Sequence, residues 1–424
     1  MEYVNMKRFR CVLFAGLMLL ACAKTPAADE PEPGADPVPA IDPSALPDFP
    51  VPEIIGYAGF SDVLSAKLLN GTKNSNLSPI SVYLALAMVT EGAEGDTQAE
   101  LLKLLGCKDL AELRGICGAM LNKLSISEEK STLTFANSLW MDDHDGQLSF
   151  SDTYLHTLAD VYRSEANAVD LSSTETGRQI ADWIDRHTNG KIKPAPMQFD
   201  PETIAVLINT IYLKDAWRST FSEDATEADT FHAPDRDMTV DYMQRRFNDT
   251  TIYKGDGYLR YGIPLRTVGR MTFVLPDEDV SLESLLGSPE KLHALLNGGE
   301  AINADVHVML PKFEFRDRME LSSVLEALGA KLAFSDDACF SAMCDIPAKI
   351  SRVIQESYIG VDENGVEAAA YTMVIVNGAT AMEPKELPLI DFRLERPFLF
   401  VIEAYDGTAL FVGTVTEPTE SAQN

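Results

Sequence analysis

The segment VDENGVEAAAYTMVIVNGATAMEP, residues 361–384, decides how the whole chain is read. Gly365 is followed by Val366, Glu367 and three alanines, Ala368, Ala369 and Ala370. β-Formers come next, then small residues through Ala381, and finally Glu383-Pro384. An ordinary strand behind a glycine turn would not be built this way, because alanine is a poor strand former and favours helix. Small side chains make sense in a stretch that must slide between two strands already in place. A large residue there would clash on the buried face of the sheet.

Around this segment lies one folded unit. From about residue 53 onward no Pro/Gly-rich break divides the chain, and no solenoid or propeller repeat is present. Leu84, Ala85, Ala87 and Met88, then Leu101, Leu102, Leu104 and Leu105, have helical spacing. Thr203 to Leu213 is a dense apolar run with β-branched residues and reads as a buried strand. Val306 to Phe315 alternates around Pro311, and Leu399 to Val415 reads as two strands joined at Asp406-Gly407. Helices dominate the first third and strands the last, so the fold class is α+β.

The first 52 residues have a different character. Lys7, Arg8 and Arg10 precede an apolar run from Cys11 to Leu20, which ends in Leu19-Leu20-Ala21-Cys22. This is the pattern of a secretory leader, residues 1–21, too short for a spanning helix. Cys22 after Leu-Leu-Ala resembles the bacterial lipobox, in which the cysteine is lipidated and becomes the mature N-terminus. Residues 23–52 carry nine prolines with Asp29, Glu30, Glu32, Asp36 and Asp42, a composition expected to form a semi-extended acidic tether. The expectation is a domain, residues 53–424, held away from a membrane. It would be an outer-membrane lipoprotein of a bacterial cell envelope, facing either the periplasm or the outside.

Over its 424 residues, 35 Lys and Arg stand against 65 Asp and Glu, a formal charge of −30. Such a surface repels a phosphate backbone, so no nucleic-acid partner is expected. The chain has no G-x-S-x-G elbow, no H-E-x-x-H, no Walker loop and no G-x-G-x-x-G after a strand. Its six histidines are scattered without metal-ligand spacing, and no metal or cofactor is expected. Six cysteines, two of them before residue 23, are too few for a disulfide scaffold. Cys339 and Cys344 could pair with each other or with Cys107 and Cys117. Nothing here points to an enzyme.

Glu363 to Ala370, E-x-G-x-E-A-A-A, resembles the hinge of the reactive-centre loop of the serpins, and other segments agree in order. Asn74, Leu77-Ser78-Pro79, Ser81, Ala87-Met88, Gly92-Ala93, Gly95 and Thr97 are similar to the family's helix B region. Ala136 to Trp140 follows, then Trp183 with Thr188-Asn189-Gly190-Lys191-Ile192. Asn209 to Trp217, with Phe221, resembles N-A-x-Y-F-K-G-x-W. Leu310-Pro311-Lys312-Phe313 continues the match, with Leu325, Gly329 and Phe334. Arg396 to Phe400 and Leu410 to Gly413 resemble the C-terminal signature. Together these span about residues 54–418.

The resemblance implies helices around three β-sheets and an exposed bait loop, in a monomeric suicide inhibitor of serine and sometimes cysteine proteases. The protease cleaves the loop and is acylated; the loop then enters the central sheet as a new strand and distorts the enzyme. Gly365 to Ala370 would enter first, with Val366 the first side chain buried. Family spacing from the hinge puts the scissile bond at Ala379-Thr380, or as far along as Met382. A small residue there suits elastase-like or subtilisin-like proteases. Ser78, Ser81 and Asn209 fall where the family keeps the polar cluster that gates sheet opening, and Trp217 where the loop enters. Gln355-Glu356 replaces the common His-Lys, with Gln355 still able to donate to that cluster. Asp215 and Glu395 also depart from the family pattern, and neither is expected to touch the loop. A heparin-type cofactor is not expected in so acidic a chain. The alternative function is a non-inhibitory serpin, either a plain substrate or a binding protein; the small-residue hinge favours the inhibitor.

Overall fold

The computed structural model describes residues 41, 42, 44, 46–128, 130–142, 148–366 and 387–421, together with the backbone of residues 17–23. In chain order, strand β1 (Leu17–Ala23) is followed by α1 (Gly56–Leu68), β2 (Ser75–Leu77), α2 (Pro79–Thr90), α3 (Gly95–Leu104) and α4 (Leu110–Leu124). Next come β3 (Ile126–Ser127), β4 (Ser131–Asp142), α5 (Asp152–Tyr162), β5 (Ser164–Val169), α6 (Thr174–His187) and β6 (Thr203–Ala216). A strand-rich stretch follows: β7 (Glu227–His232), β8 (Asp237–Gly255), β9 (Tyr258–Pro264) and β10 (Gly269–Pro276). After the helices α7 (Leu282–Leu285) and α8 (Pro289–Asn297) come β11 (Glu300–Pro311), β12 (Phe313–Glu320) and α9 (Ser322–Ala327). The chain closes with β13 (Lys349–Val361), β14 (Gly365–Val366), β15 (Leu389–Arg393), β16 (Phe398–Ala404) and β17 (Ala409–Val415).

The apolar run at 203–213 folds as expected, into the long central strand β6, whose first eleven residues are all buried. Such a continuous apolar strand needs cover on both faces. On one face α6 lays Ile180, Trp183 and Ile184 against Trp140, Val206 and Ile208. The other face belongs to the main core, to which Leu207, Ile211 and Leu213 contribute together with α2. All twelve residues of α2 are buried, so it has no solvent face; Pro79 opens it where a missing N–H is tolerated. The Asp406-Gly407 hairpin also forms: Asp406 accepts the Thr408 N–H at 3.1 Å and Gly407 takes φ 86°.

The family resemblance implied three sheets, and the described residues form two. In the first, β12 pairs with β13, β4 with β6, and β3 and β5 with β4, while β14 and β1 both lie between β13 and β6. The second runs β15-β11-β8-β9-β10-β16-β17-β2 with β7 beside β8. The difference comes from β8. It is 19 residues long, pairs with β11 from Tyr242 to Lys254, and through its last residues, Tyr253 to Gly255, also pairs with β9. One long strand thereby joins what would otherwise be two sheets.

Two further placements bear on the N-terminal reading. Leu17–Ala23, which spans the end of the leader and the two residues after it, is a strand of the first sheet. The proline-rich segment touches the body from Ile41 onward: Lys67 Nζ donates to the Pro47 carbonyl at 2.6 Å and lies 4.3 Å from the Phe49 ring centre. Ile41, Leu46 and Phe49 are partly buried against the core, because these apolar side chains alternate with the prolines and find cover there.

Candidate functional site

The site is built where β13 turns into β14. Asp362 makes the turn, its carboxylate accepting from the Asn364 and Gly365 N–H groups at 2.7 and 3.3 Å. Trp217, at the end of β6, holds it from the side. Its indole N–H donates to the Asp362 carbonyl and its backbone N–H to the Asn364 carbonyl, both at 2.9 Å. The Phe221 N–H reaches the Glu363 carbonyl at 2.9 Å.

The Glu363 carboxylate lies 3.1 Å from Lys312 Nζ and accepts from Thr226 Oγ1 at 2.7 Å, with 8% of its side chain exposed. Burial alone would push this carboxyl up. The hydrogen bonds of Thr226 and Lys312, with the lysine charge, outweigh it and hold the group below its ordinary range.

Gly365 and Val366 already stand in the sheet. Gly365 lies opposite Ala216, and Val366 opposite both Asp215 and Val361. A Cβ on Gly365 would sit 2.2 Å from the Asp215 carbonyl oxygen, so only glycine fits this approach. The first two residues of the hinge are paired, and Val366 is 4% exposed. One expectation is corrected here. Asp215 does touch the loop, through its backbone, because it is the residue of β6 that receives Val366. Glu395 keeps to its own neighbourhood, with Arg393 at 2.8 Å and Arg396 at 3.4 Å.

The Asp215 side chain turns away from the loop. Fully buried, it accepts from Ser131 Oγ at 2.6 Å and from the Thr267 and Val268 N–H groups at 2.9 and 2.7 Å. Burial pushes its carboxyl up, although these bonds favour the charged form. Asp215 thus ties the head of the slot to the start of β4 and to the β9–β10 turn.

Because β14 and β1 each pair with both β13 and β6, those strands stand two strand spacings apart, about 10 Å. Between β14 and β1 no described residue occupies the track. A small cavity of about 10 Å³ lies there, lined by Tyr212 and Leu213 of β6, Tyr358, Ile359 and Gly360 of β13, and Val366 above. The turn after α6 bridges the opening: Asn189 Nδ2 donates to the Tyr212 hydroxyl and Lys191 Nζ to the Tyr358 hydroxyl, both at 3.3 Å.

Lower in the slot, Gln355 clasps the backbone of Ser78, accepting from its N–H at 3.2 Å and donating to its carbonyl at 2.9 Å. Ser78 Oγ donates to the Leu410 carbonyl at 2.9 Å. Asn209 stands across the slot and donates to Asn137 Oδ1 at 2.7 Å. The Oδ1 of Asn209 and the Oγ of Ser81 are buried and have no hydrogen-bond partner among the described residues. The structure therefore brings Ser78 and Gln355 into contact and sets Asn209 opposite them. Glu367, Ala368, Ala369, Ala370, Ala379 and Thr380 lie outside the described residues, and Cys22 is described only as backbone in β1.

A family model described as serpin (serine protease inhibitor) matches residues 58–418. The chain is a serpin. Alpha-1-antiproteinase 2 of Equus caballus is 30% identical over 362 residues, covering 83% of each chain. An uncharacterized serpin-like protein of Thermococcus kodakarensis is 31% identical, covering 87% of this chain and 86% of its own. Among solved structures, the thermophilic serpin tengpin in its native state aligns with a TM-score of 0.74 at 29% identity, over 90% of this chain and 97% of that one. Serpins are protease inhibitors rather than enzymes, and several of these relatives are named antiproteinases.

Sequence reading singled out the hinge segment and Ser78, Ser81, Asn209 and Gln355, and missed the side chains that hold this region. Lys312 and Lys191 lay inside matched motifs without a stated role, whereas Thr226 and Ser131 had no local signal at all. Cysteine pairing, left open by the sequence, is absent among the described residues: Cys107, Cys117, Cys339 and Cys344 are free thiols.

Proposed function

We propose that this serpin is a suicide-substrate inhibitor of serine proteases, anchored to a bacterial cell envelope through lipidated Cys22. One observation carries the inhibitory reading. No described residue occupies the track that continues the line of β14, and the register of β14 assigns each hinge residue its two neighbours there. Continued in register, β14 would set Ala368 between Leu213 and Ile359, Ala369 between Tyr212 and Tyr358, and Ala370 between Ile211 and Ser357. Leu213 and Ile359 both line the cavity, so the Ala368 methyl group would point into it. Ala369 would pass beneath the bridge that Asn189 and Lys191 make over the slot. Alanine is small enough for both places, where a larger side chain would overpack.

Each residue that enters gains hydrogen bonds to two strands at once, so insertion is strongly downhill once the loop is cut. A protease still acylated to the cut end is carried along. A scissile bond at Ala379-Thr380 suits elastase-like or subtilisin-like enzymes, whose specificity pockets accept small residues.

The test mixes the processed protein, cleaved before Cys22, with pancreatic elastase and with a subtilisin and analyses the products by denaturing gel and mass spectrometry. A covalent band at the summed mass, with a released fragment beginning near Thr380, is the expected result. Clean loop cleavage without complex would assign a substrate-type serpin, and an uncut loop across a broad protease panel would overturn the reading. Anchoring is checked separately, by the mass of a lipid on Cys22 in membrane fractions.

A further inference from the structure

In the chain with its N-terminus intact, β1 lies in the same track as β14. Leu17 to Ala21 stand opposite Thr210 to Val206 on β6 and opposite Glu356 to Arg352 on β13. Continuing β14 in its own register would bring residues 371–375 to those same partners. The two strands therefore compete residue for residue. The stretch between them, which no described residue occupies, is four residues long, enough for 367–370 and no more. Met18 sits between Asn209 and Gln355, at the level of the polar cluster, so β1 fills the slot at its middle and below.

We infer that the N-terminal segment Leu17–Ala23 is an intramolecular plug that keeps the unprocessed chain from completing loop insertion. This rests on the inhibitory reading. With β1 seated, a cleaved loop enters as far as Ala370 and stops, the protease is not dragged across the sheet, and the acyl-enzyme hydrolyses. The same apolar residues cannot lie in a bilayer and in the slot together. Hydrolysis at Ala21-Cys22, the position that the lipobox reading gives for processing, cuts β1 after its fifth residue. The released piece then loses the high effective concentration that its tether supplied. Export would anchor the protein and empty the slot in one step, leaving an unexported chain inert toward proteases.

The experiment uses the full 424-residue chain, made in the cytosol so that its leader is retained, beside Leu19→Pro of the same chain. Proline removes a ladder N–H and is excluded from central strands, so it unseats β1 without touching the domain. In the unaltered chain, amides of residues 17–23 should be protected from exchange by about 100-fold or more, as in a paired central strand. That chain should be cut by elastase with loss of the covalent complex, and Leu19→Pro should restore the complex. Unprotected amides at 17–23 in the unaltered chain, a measurement needing no variant, would overturn the plug. So would equal complex formation by both chains. Protection that is lost in Leu19→Pro, with no complex from either chain, would support the plug and reject the inhibitory reading.

Discussion

Lys312 Nζ sits 3.1 Å from the carboxylate of Glu363, and through this contact the turn that launches the loop is fastened to the junction between β11 and β12. The loop's entry point is therefore held by three separate parts of the chain: Trp217 just after β6, Lys312 from the β11–β12 junction, and Thr226 from the approach to β7.

Glu363→Lys places two ammonium groups where one ion pair stood. The loss should be on the order of 2 kcal/mol, since the carboxylate is buried and the lysine partly exposed. Denaturant unfolding should show it as a lower midpoint. The folded carboxyl lies below its ordinary value of 4.5, so the stabilisation is present above that value and disappears as pH falls through the lower folded one. A pH series on the native chain and on Glu363→Gln should converge in acid; persistent separation there would reject the account.

Asp215 behaves with the opposite sign. Its folded carboxyl is raised by burial, so ionising it costs stability, and stability falls as pH rises from the ordinary value of 3.8 through the raised one. Asp215→Asn should remove that decline. Asp215→Ala should lose more at every pH, because it leaves the Thr267 and Val268 N–H groups unpaired at about 1–3 kcal/mol each. The difference between the two variants, read from thermal unfolding, checks both statements.

Gly365→Val should convert inhibition into plain substrate turnover. The added carbon meets the Asp215 carbonyl at 2.2 Å, so β14 is expelled and insertion loses its starting point. Loop cleavage by elastase should continue while the covalent band disappears. Ala368→Glu should do the same by a different route, by carrying a charge into the cavity beneath Val366. Retention of the covalent band in both variants would be incompatible with the proposed insertion register.

Gln355→Leu removes both bonds to the Ser78 backbone and leaves its buried N–H unpaired, while its carbonyl keeps the Val82 N–H at 3.3 Å. A loss of about 1–3 kcal/mol is expected in denaturant unfolding. Gln355→Glu keeps the acceptor but not the donor and should fall between the two.

Among the four described thiols, Cys339 is exposed, and Cys107, Cys117 and Cys344 are buried with their thiols pushed up by burial. Of these four, alkylation of the folded protein should label only Cys339, with the other three reacting only after denaturation. Early labelling of Cys117 by mass spectrometry would contradict the packing of α4.

What the sequence determined alone was whatever is written in neighbouring residues. The E-x-G-x-E-A-A-A run, the two-faced apolar strand at 203–213 and the Asp406-Gly407 turn each carry a local signal of spacing or side-chain size, and each was legible. The tertiary structure decided what depends on distant residues meeting. The Glu363–Lys312 pair spans 51 positions and Ser131–Asp215 spans 84, and no local pattern announces either contact. The joining of two sheets through β8 and the placing of Leu17–Ala23 between β6 and β13 are of the same kind. An unpaired sheet track accepts any strand that satisfies its backbone groups, and which segment fills it is settled only when the whole chain competes for it.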